Sequence, residues 1–200
     1  MDNKKIITLV GGIGVGKTTL LSELAQMFKS VQTIEENAEQ NLYLNEFYEN
    51  PRKWGFHSRI SMISMVATNY KKMEEDKEIY IFDRCIPELI VFANLEYELG
   101  NMTEKEYKLY IQLYDAFCHI IPKIDAYIYL TCSEENSLKR IQQRGRKCEQ
   151  NVKLDFLSDI KQRYDLWAQK IENKIWINTD NYIDINKTVS QIKTMLKIEH

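Results

Sequence analysis

Lys17 and Thr18 close the run Gly11-Gly12-Ile13-Gly14-Val15-Gly16-Lys17-Thr18-Thr19, in which Gly11, Gly16, Lys17 and Thr18 satisfy G-x-x-x-x-G-K-[ST]. The glycines let successive backbone N–H groups turn toward one anionic group, and a helix beginning near Lys17 adds the positive end of its dipole. Such a loop cradles the phosphates of a nucleoside triphosphate. Lys17 would reach the β- and γ-phosphates, and Thr18 would hold Mg²⁺. The flanking residues supply the required context: a β-branched strand before the loop and an amphipathic helix (Leu20, Leu21, Leu24, Met27, Phe28) after it.

Three further groups could act on a phosphate held there. Glu35-Glu36 follows the apolar run Val31–Ile34, and Asp83-Arg84 follows another at 79–82. In a parallel sheet ligands bind beyond the carboxyl ends of the strands, where both pairs would lie. Alternation along a strand allows only one of Glu35 and Glu36 to face the loop. A carboxylate facing the γ-phosphate could take the proton of an acceptor hydroxyl, and Asp83 could hold Mg²⁺ directly or through water. The third group is Arg140, Arg144 and Arg146. Positions 140 and 144 share a helix face, and Gly145 marks where that helix opens into a loop. Arginine forks near a transferring phosphoryl group stabilise its developing charge.

The elements that must position these groups alternate in type. Strands are expected at 6–10, Val31–Ile34, 79–82, 125–130 and 175–177. Helices are expected from about 17 to 29, 54 to 76, 86 to 99, 104 to 121, 133 to 144, 154 to 171 and 184 to 197. Thr103 and Ser133 read as N-caps, the second with a box-like Ser133-Glu134-Glu135-Asn136 start. The stretch between Glu36 and Pro51 reads as polar and aromatic without assigned structure. This alternation implies an α/β fold, a five-stranded parallel sheet with helices on both faces. No linker, repeat or low-complexity segment interrupts 1–200, so one domain is expected, with an arginine-bearing lid at about 140–152.

The 200 residues, 44% hydrophobic with a formal net charge of -2, suit a cytoplasmic globular protein without bulk attraction to nucleic acid or membrane. Cys85, Cys118, Cys132 and Cys148 form no C-x-x-C pair and read as free thiols of a reducing compartment.

The phosphate loop, the Glu36 segment, Asp83-Arg84-Cys85 and Arg140…Arg144-Gly145-Arg146 together resemble the deoxynucleoside kinase family, in order and spacing, over nearly the whole chain. The segment Glu36 to Leu44 most resembles the bacterial purine-type branch. The resemblance implies a P-loop kinase fold and transfer of the γ-phosphoryl group of ATP, or another triphosphate, to the 5′-hydroxyl of a deoxyribonucleoside, with Mg²⁺. It implies Glu36 as general base, Arg84 on the hydroxyl and the incoming phosphate, and Asp83 on the metal side. Tyr48 and Glu149 would bond the sugar 3′-hydroxyl, Arg140 would lie against the donor base, and Arg144 and Arg146 would close over the phosphates. It further implies a homodimer paired through the helices at 86–99 and 104–121.

The departures cluster where the base should bind. Arg59 stands where the family uses a glutamine, Cys85 replaces a serine, and Asn37 replaces a proline. The acidic residue expected after Asp83-Arg84-Cys85 falls on Leu89, with Glu88 one place early. Arg59 either reads the base edge or turns away to pair with a carboxylate such as Glu88. Two other functions compete with the main reading. One is a thymidylate-kinase-like monophosphate kinase. The other is a non-catalytic or GTPase-type module, for which the D-x-x-G and N-K-x-D motifs are missing.

Overall fold

The computed structural model describes residues 4–198. Runs of β-branched and aromatic side chains form five strands: β1 (Lys5–Val10), β2 (Val31–Ile34), β3 (Ile79–Asp83), β4 (Ala126–Thr131) and β5 (Lys174–Asn178). All neighbours pair in parallel, in the order β2-β3-β1-β4-β5. β1 is therefore central, and the register Leu9↔Asp83 brings the carboxyl ends of β1 and β3 level. The phosphate loop and Arg84 leave the sheet side by side, tied by the Arg84 N–H donating to the Leu9 carbonyl at 3.1 Å.

Among the described residues there are eight α-helices: α1 (Lys17–Ala25), α2 (Leu44–Glu49), α3 (Pro51–Asn69), α4 (Leu89–Glu98), α5 (Glu104–Ile120), α6 (Glu134–Arg144), α7 (Leu154–Gln169) and α8 (Ile185–Leu196). Strand alternation divides the core in two. Ile7, Leu9, Ile81 and Leu130 pack against Leu20 and Leu24 of α1 and Ile192 of α8. Ile6, Val10, Tyr80 and Tyr129 face the other way, onto Phe92 and Leu95 of α4 and Ile160 and Tyr164 of α7. A third cluster joins α3, α4 and α5 through Ile63, Val66, Ala93 and Tyr110. It lifts α3 into a wall beside the carboxyl ends of β1 and β3.

The strands stand where the apolar runs predict them, within a residue or two at each end. Several helix ends differ, for local reasons. α1 stops at Ala25, because Met27 N–H already bonds the Leu24 carbonyl in a tightening turn before β2. α3 begins earlier than expected, at Pro51: the Asn50 side chain accepts from Lys53 N–H, and proline fits a first turn whose N–H groups lack partners. That helix then tightens into a 3₁₀ turn at Tyr70–Lys72 instead of running to 76. The helix expected over 86–99 opens as a 3₁₀ turn, Ile86–Glu88, around Pro87. Ser133 does cap α6 and accepts from Asn136 N–H, but the return contact comes from Asp180. Its carboxylate takes the Ser133 N–H and hydroxyl, each at 2.9 Å, and the Asn136 side chain at 2.7 Å. α2 occupies part of the stretch left unassigned after Glu36.

Candidate active site

The strand ends, the phosphate loop, α2, α3 and the segment after α6 enclose a cavity of about 290 Å³. Of the residues singled out in the sequence, Ile13, Gly14, Val15, Gly16, Lys17, Thr18 and Thr19 line it on one side. Glu36, Asp83 and Arg84 form its floor. Tyr48 and Arg59 stand on the α2–α3 wall, and Arg140, Arg144, Arg146 and Glu149 lie above. Gly11 and Gly12 do not line it; they shape the loop instead. Gly11 has φ +141°, and a Cβ there would run into the Leu130 carbonyl. The carbonyls of Gly11 and Gly12 accept from Lys17 Nζ at 3.0 and 2.8 Å. Burial first, and the Arg84 charge second, hold the Lys17 ammonium below the ordinary lysine value.

The floor carries the charge. Of the two adjacent glutamates, Glu35 is exposed, while Glu36 turns inward and pairs with Arg84 Nε. Burial opposes ionisation of Glu36, but Arg84 and then Lys17 more than offset it, so its carboxyl is held below the usual range. Arg84 adopts φ +75°, a conformation that non-glycine residues avoid unless the surroundings impose it. Burial works against its charge, but Glu36, Tyr164 and Glu88 keep it protonated.

Asp83 accepts from the Thr18 hydroxyl at 3.1 Å through Oδ2, while its Oδ1 is buried without a partner. Burial pushes its carboxyl up, with Lys17 opposing. An unsatisfied buried carboxylate oxygen beside a threonine hydroxyl, at the mouth of a phosphate loop, is a donor set that fits a hard divalent cation. Mg²⁺ needs only one or two protein oxygens when phosphates and water complete its shell.

The wall opposite is mostly apolar. Arg59, 6% exposed, has its guanidinium over the Phe47 and Phe92 rings at 5.0 and 5.3 Å. Nη2 donates to Ser58 Oγ at 3.2 Å, and Nε is buried without a partner. It does not pair with Glu88, which is engaged by Arg84 and Tyr164. Leu89 lines the same cavity, so no carboxylate stands at that position. Tyr48 is half-buried, and burial followed by nearby Glu149 raises its phenol. Glu149 takes Arg144 Nη2 at 2.6 Å and lies 3.5 Å from Arg146 Nη1, so one buried carboxylate gathers both lid arginines. Arg140 is held by Thr179, whose hydroxyl and carbonyl accept at 2.8 and 2.6 Å.

Sequence reasoning missed Thr179 and Tyr164 and set Glu88 aside. Nothing local marks the first two, because their partners lie 39 and 76 to 80 positions away. Glu88 had one signal, its i,i+4 spacing from Arg84.

A P-loop in a five-stranded parallel sheet, with a carboxylate–arginine pair on the cavity floor between the loop and the α2–α3 wall, defines a phosphotransferase of the P-loop kinase fold. Residues 7–198 match the family model described as deoxynucleoside kinase. A deoxyadenosine kinase of Dictyostelium discoideum is 32% identical over 190 residues, covering 94% of this chain and 77% of the relative. A deoxyadenosine/deoxycytidine kinase of Bacillus subtilis is 31% identical over 209 residues, covering 98% and 95%. The solved structure of deoxyadenosine kinase from M. mycoides with bound dCTP shares the fold, with TM-score 0.83 over 94% of this chain and 99% of that one at 22% identity. The chain belongs to the deoxynucleoside kinase family: it is a phosphotransferase whose acceptor is a deoxyribonucleoside. The monophosphate-kinase alternative finds no support in these matches.

Proposed function

We propose that the protein transfers the γ-phosphoryl group of ATP, or another nucleoside triphosphate, to the deoxynucleoside 5′-hydroxyl, with Mg²⁺ and Glu36 as general base. The observation that carries this reading is the Glu36–Arg84 pair, set between Lys17 and Thr18 on one side and the Tyr48–Arg59 wall on the other. Glu36 is an ionised carboxylate able to accept the hydroxyl proton as the phosphoryl group arrives. Arg84 Nε holds Glu36, and Nη2, without a protein partner among the described residues, is free for the incoming phosphate. The amides of residues 13 to 19 and Lys17 would bind the donor phosphates. Thr18 and Asp83 would hold Mg²⁺, which supplies charge neutralisation across the phosphates.

Tyr48 and Glu149 would take the sugar 3′-hydroxyl, and Arg59 would face the base. Arg144 and Arg146 would move from Glu149 to the phosphates as residues 140–152 close, while Arg140 stays by the donor. Residues 1–200 act as one catalytic domain, a homodimer of the cytoplasm with no nucleic-acid or membrane partner. No described helix is long and apolar enough to cross a membrane.

The test is turnover with ATP and Mg²⁺ on a panel of deoxynucleosides, ribonucleosides and deoxynucleoside monophosphates. The 5′-monophosphates of deoxynucleosides are the expected products. Diphosphates formed from the monophosphates, with no reaction of nucleosides, would overturn the reading.

A further inference from the structure

We propose that Glu88 is a positioning residue for phosphoryl transfer, fixing the phosphate loop and Arg84 to each other through one carboxylate oxygen. Glu88 is fully buried. Its Oε2 accepts from the Gly11 N–H at 3.2 Å and from the Tyr164 hydroxyl at 2.8 Å, and stands 3.6 Å from Arg84 Nη1. Its Oε1 accepts from the Cys85 N–H at 3.3 Å. The Tyr164 hydroxyl closes the ring by accepting from Arg84 Nη1 at 3.2 Å.

Arg84 is thereby gripped on two sides. Glu36 holds Nε from the cavity, while Glu88 and Tyr164 hold Nη1 from behind. Turning the guanidinium would break both sets of contacts, so Nη2 is fixed toward the cavity. The same carboxylate pins the first amide of the phosphate loop, at a glycine with no room for a Cβ. A carboxylate removed from water this completely is costly unless its partners need it. Volume alone could be filled by a leucine or methionine. Four contacts to two catalytic elements and the helix behind them account for an acid at this position. The short turn Ile86–Glu88, with Pro87 among its first positions, brings the Glu88 carboxylate back onto the Cys85 N–H before α4 begins.

This rests on the proposed role of Arg84 in transfer, and the test separates the two ideas. Glu88→Gln keeps the shape and replaces one accepting oxygen with an amide that can only donate. We expect kcat to fall by about tenfold or more, with KM for ATP and deoxynucleoside within about threefold, because Glu88 does not line the cavity and the one loop amide it holds, that of Gly11, lies outside the residues 13 to 19 that would bind the phosphates. The decisive comparison repeats the substitution in an Arg84→Lys background, which keeps a charge and loses the fork. There Glu88→Gln should cost less than about threefold, since the group it positions is already gone. An equal cost in both backgrounds makes Glu88 a general support of the fold and overturns the proposal. If Arg84→Lys alone leaves kcat unchanged, the role of Arg84 fails, and that of Glu88 with it. Should Glu88→Gln not fold, Tyr164→Phe goes through the same cycle, and wild-type kcat in Tyr164→Phe overturns the proposal.

Discussion

Replacing Arg59 by glutamine should change which deoxynucleoside the enzyme prefers. The Arg59 guanidinium is buried between Phe47 and Phe92, its Nε has no partner, and its one hydrogen bond goes to Ser58. No carboxylate within ion-pair reach neutralises it among the described residues; Glu96 feels its charge without pairing with it. Arginine only donates, so it suits two adjacent acceptors, such as guanine O6 and N7 or cytosine O2 and N3. Against the adenine N6 amino group it meets donor with donor, and a buried unpaired group costs about 1–3 kcal/mol, roughly five- to 150-fold in kcat/KM. Glutamine offers a donor and an acceptor and removes that penalty. The wild-type enzyme should therefore favour deoxyguanosine or deoxycytidine over deoxyadenosine, and Arg59→Gln should shift preference toward deoxyadenosine. The assay is kcat/KM for the four deoxynucleosides on both proteins. An unchanged order of preference refutes the reasoning and returns Arg59 to a packing role against the two phenylalanines.

Three other outcomes follow from the site. Tyr48→Phe should lower kcat/KM for deoxynucleosides by about tenfold, on the order of one hydrogen bond, and barely affect 3′-deoxy analogues; equal losses would make Tyr48 scaffold. Asp83→Asn should abolish Mg²⁺-dependent turnover yet raise the melting temperature of the nucleotide-free protein. Burial raises the Asp83 carboxyl, so the folded state holds that proton more tightly. Stability then falls as pH rises from the ordinary carboxylate value through the raised one, and asparagine removes the penalty. A lower melting temperature would mean that ionised Asp83 supports the fold through Lys17. Light scattering should find a homodimer; a stable, active species at the single-chain mass of 23.8 kDa would rule it out.

The sequence made some parts of this molecule plain and hid others, by range. The phosphate loop is contiguous, and β1 is marked by an unbroken run of β-branched and apolar residues from Ile6 to Val10, so both are read from neighbours alone. Glu36, Asp83 and Arg84 follow from the rule that strand ends face the ligand; alternation says only that one of Glu35 and Glu36 faces inward, and the choice of Glu36 rests on the resemblance to the family. α2 was invisible because six residues carry too little periodicity. The start of α3 was legible in Asn50-Pro51, a cap followed by a first-turn proline, but the apolar spacing begins later and drew attention there. Glu88 looked like a displaced specificity residue, because its partners Gly11 and Tyr164 are 77 and 76 positions away. Contacts of that separation leave no local trace.

The central claim is that Glu36 takes the proton of the acceptor hydroxyl, and parallel measurement of turnover and binding in Glu36→Gln and Glu35→Gln tests it most directly. Glu36→Gln should keep deoxynucleoside affinity within a few-fold while kcat falls by about a hundredfold or more. Glu35→Gln, altered at an exposed side chain, should turn over like the wild type. Near-wild-type kcat in Glu36→Gln with an inactive Glu35→Gln would contradict the account.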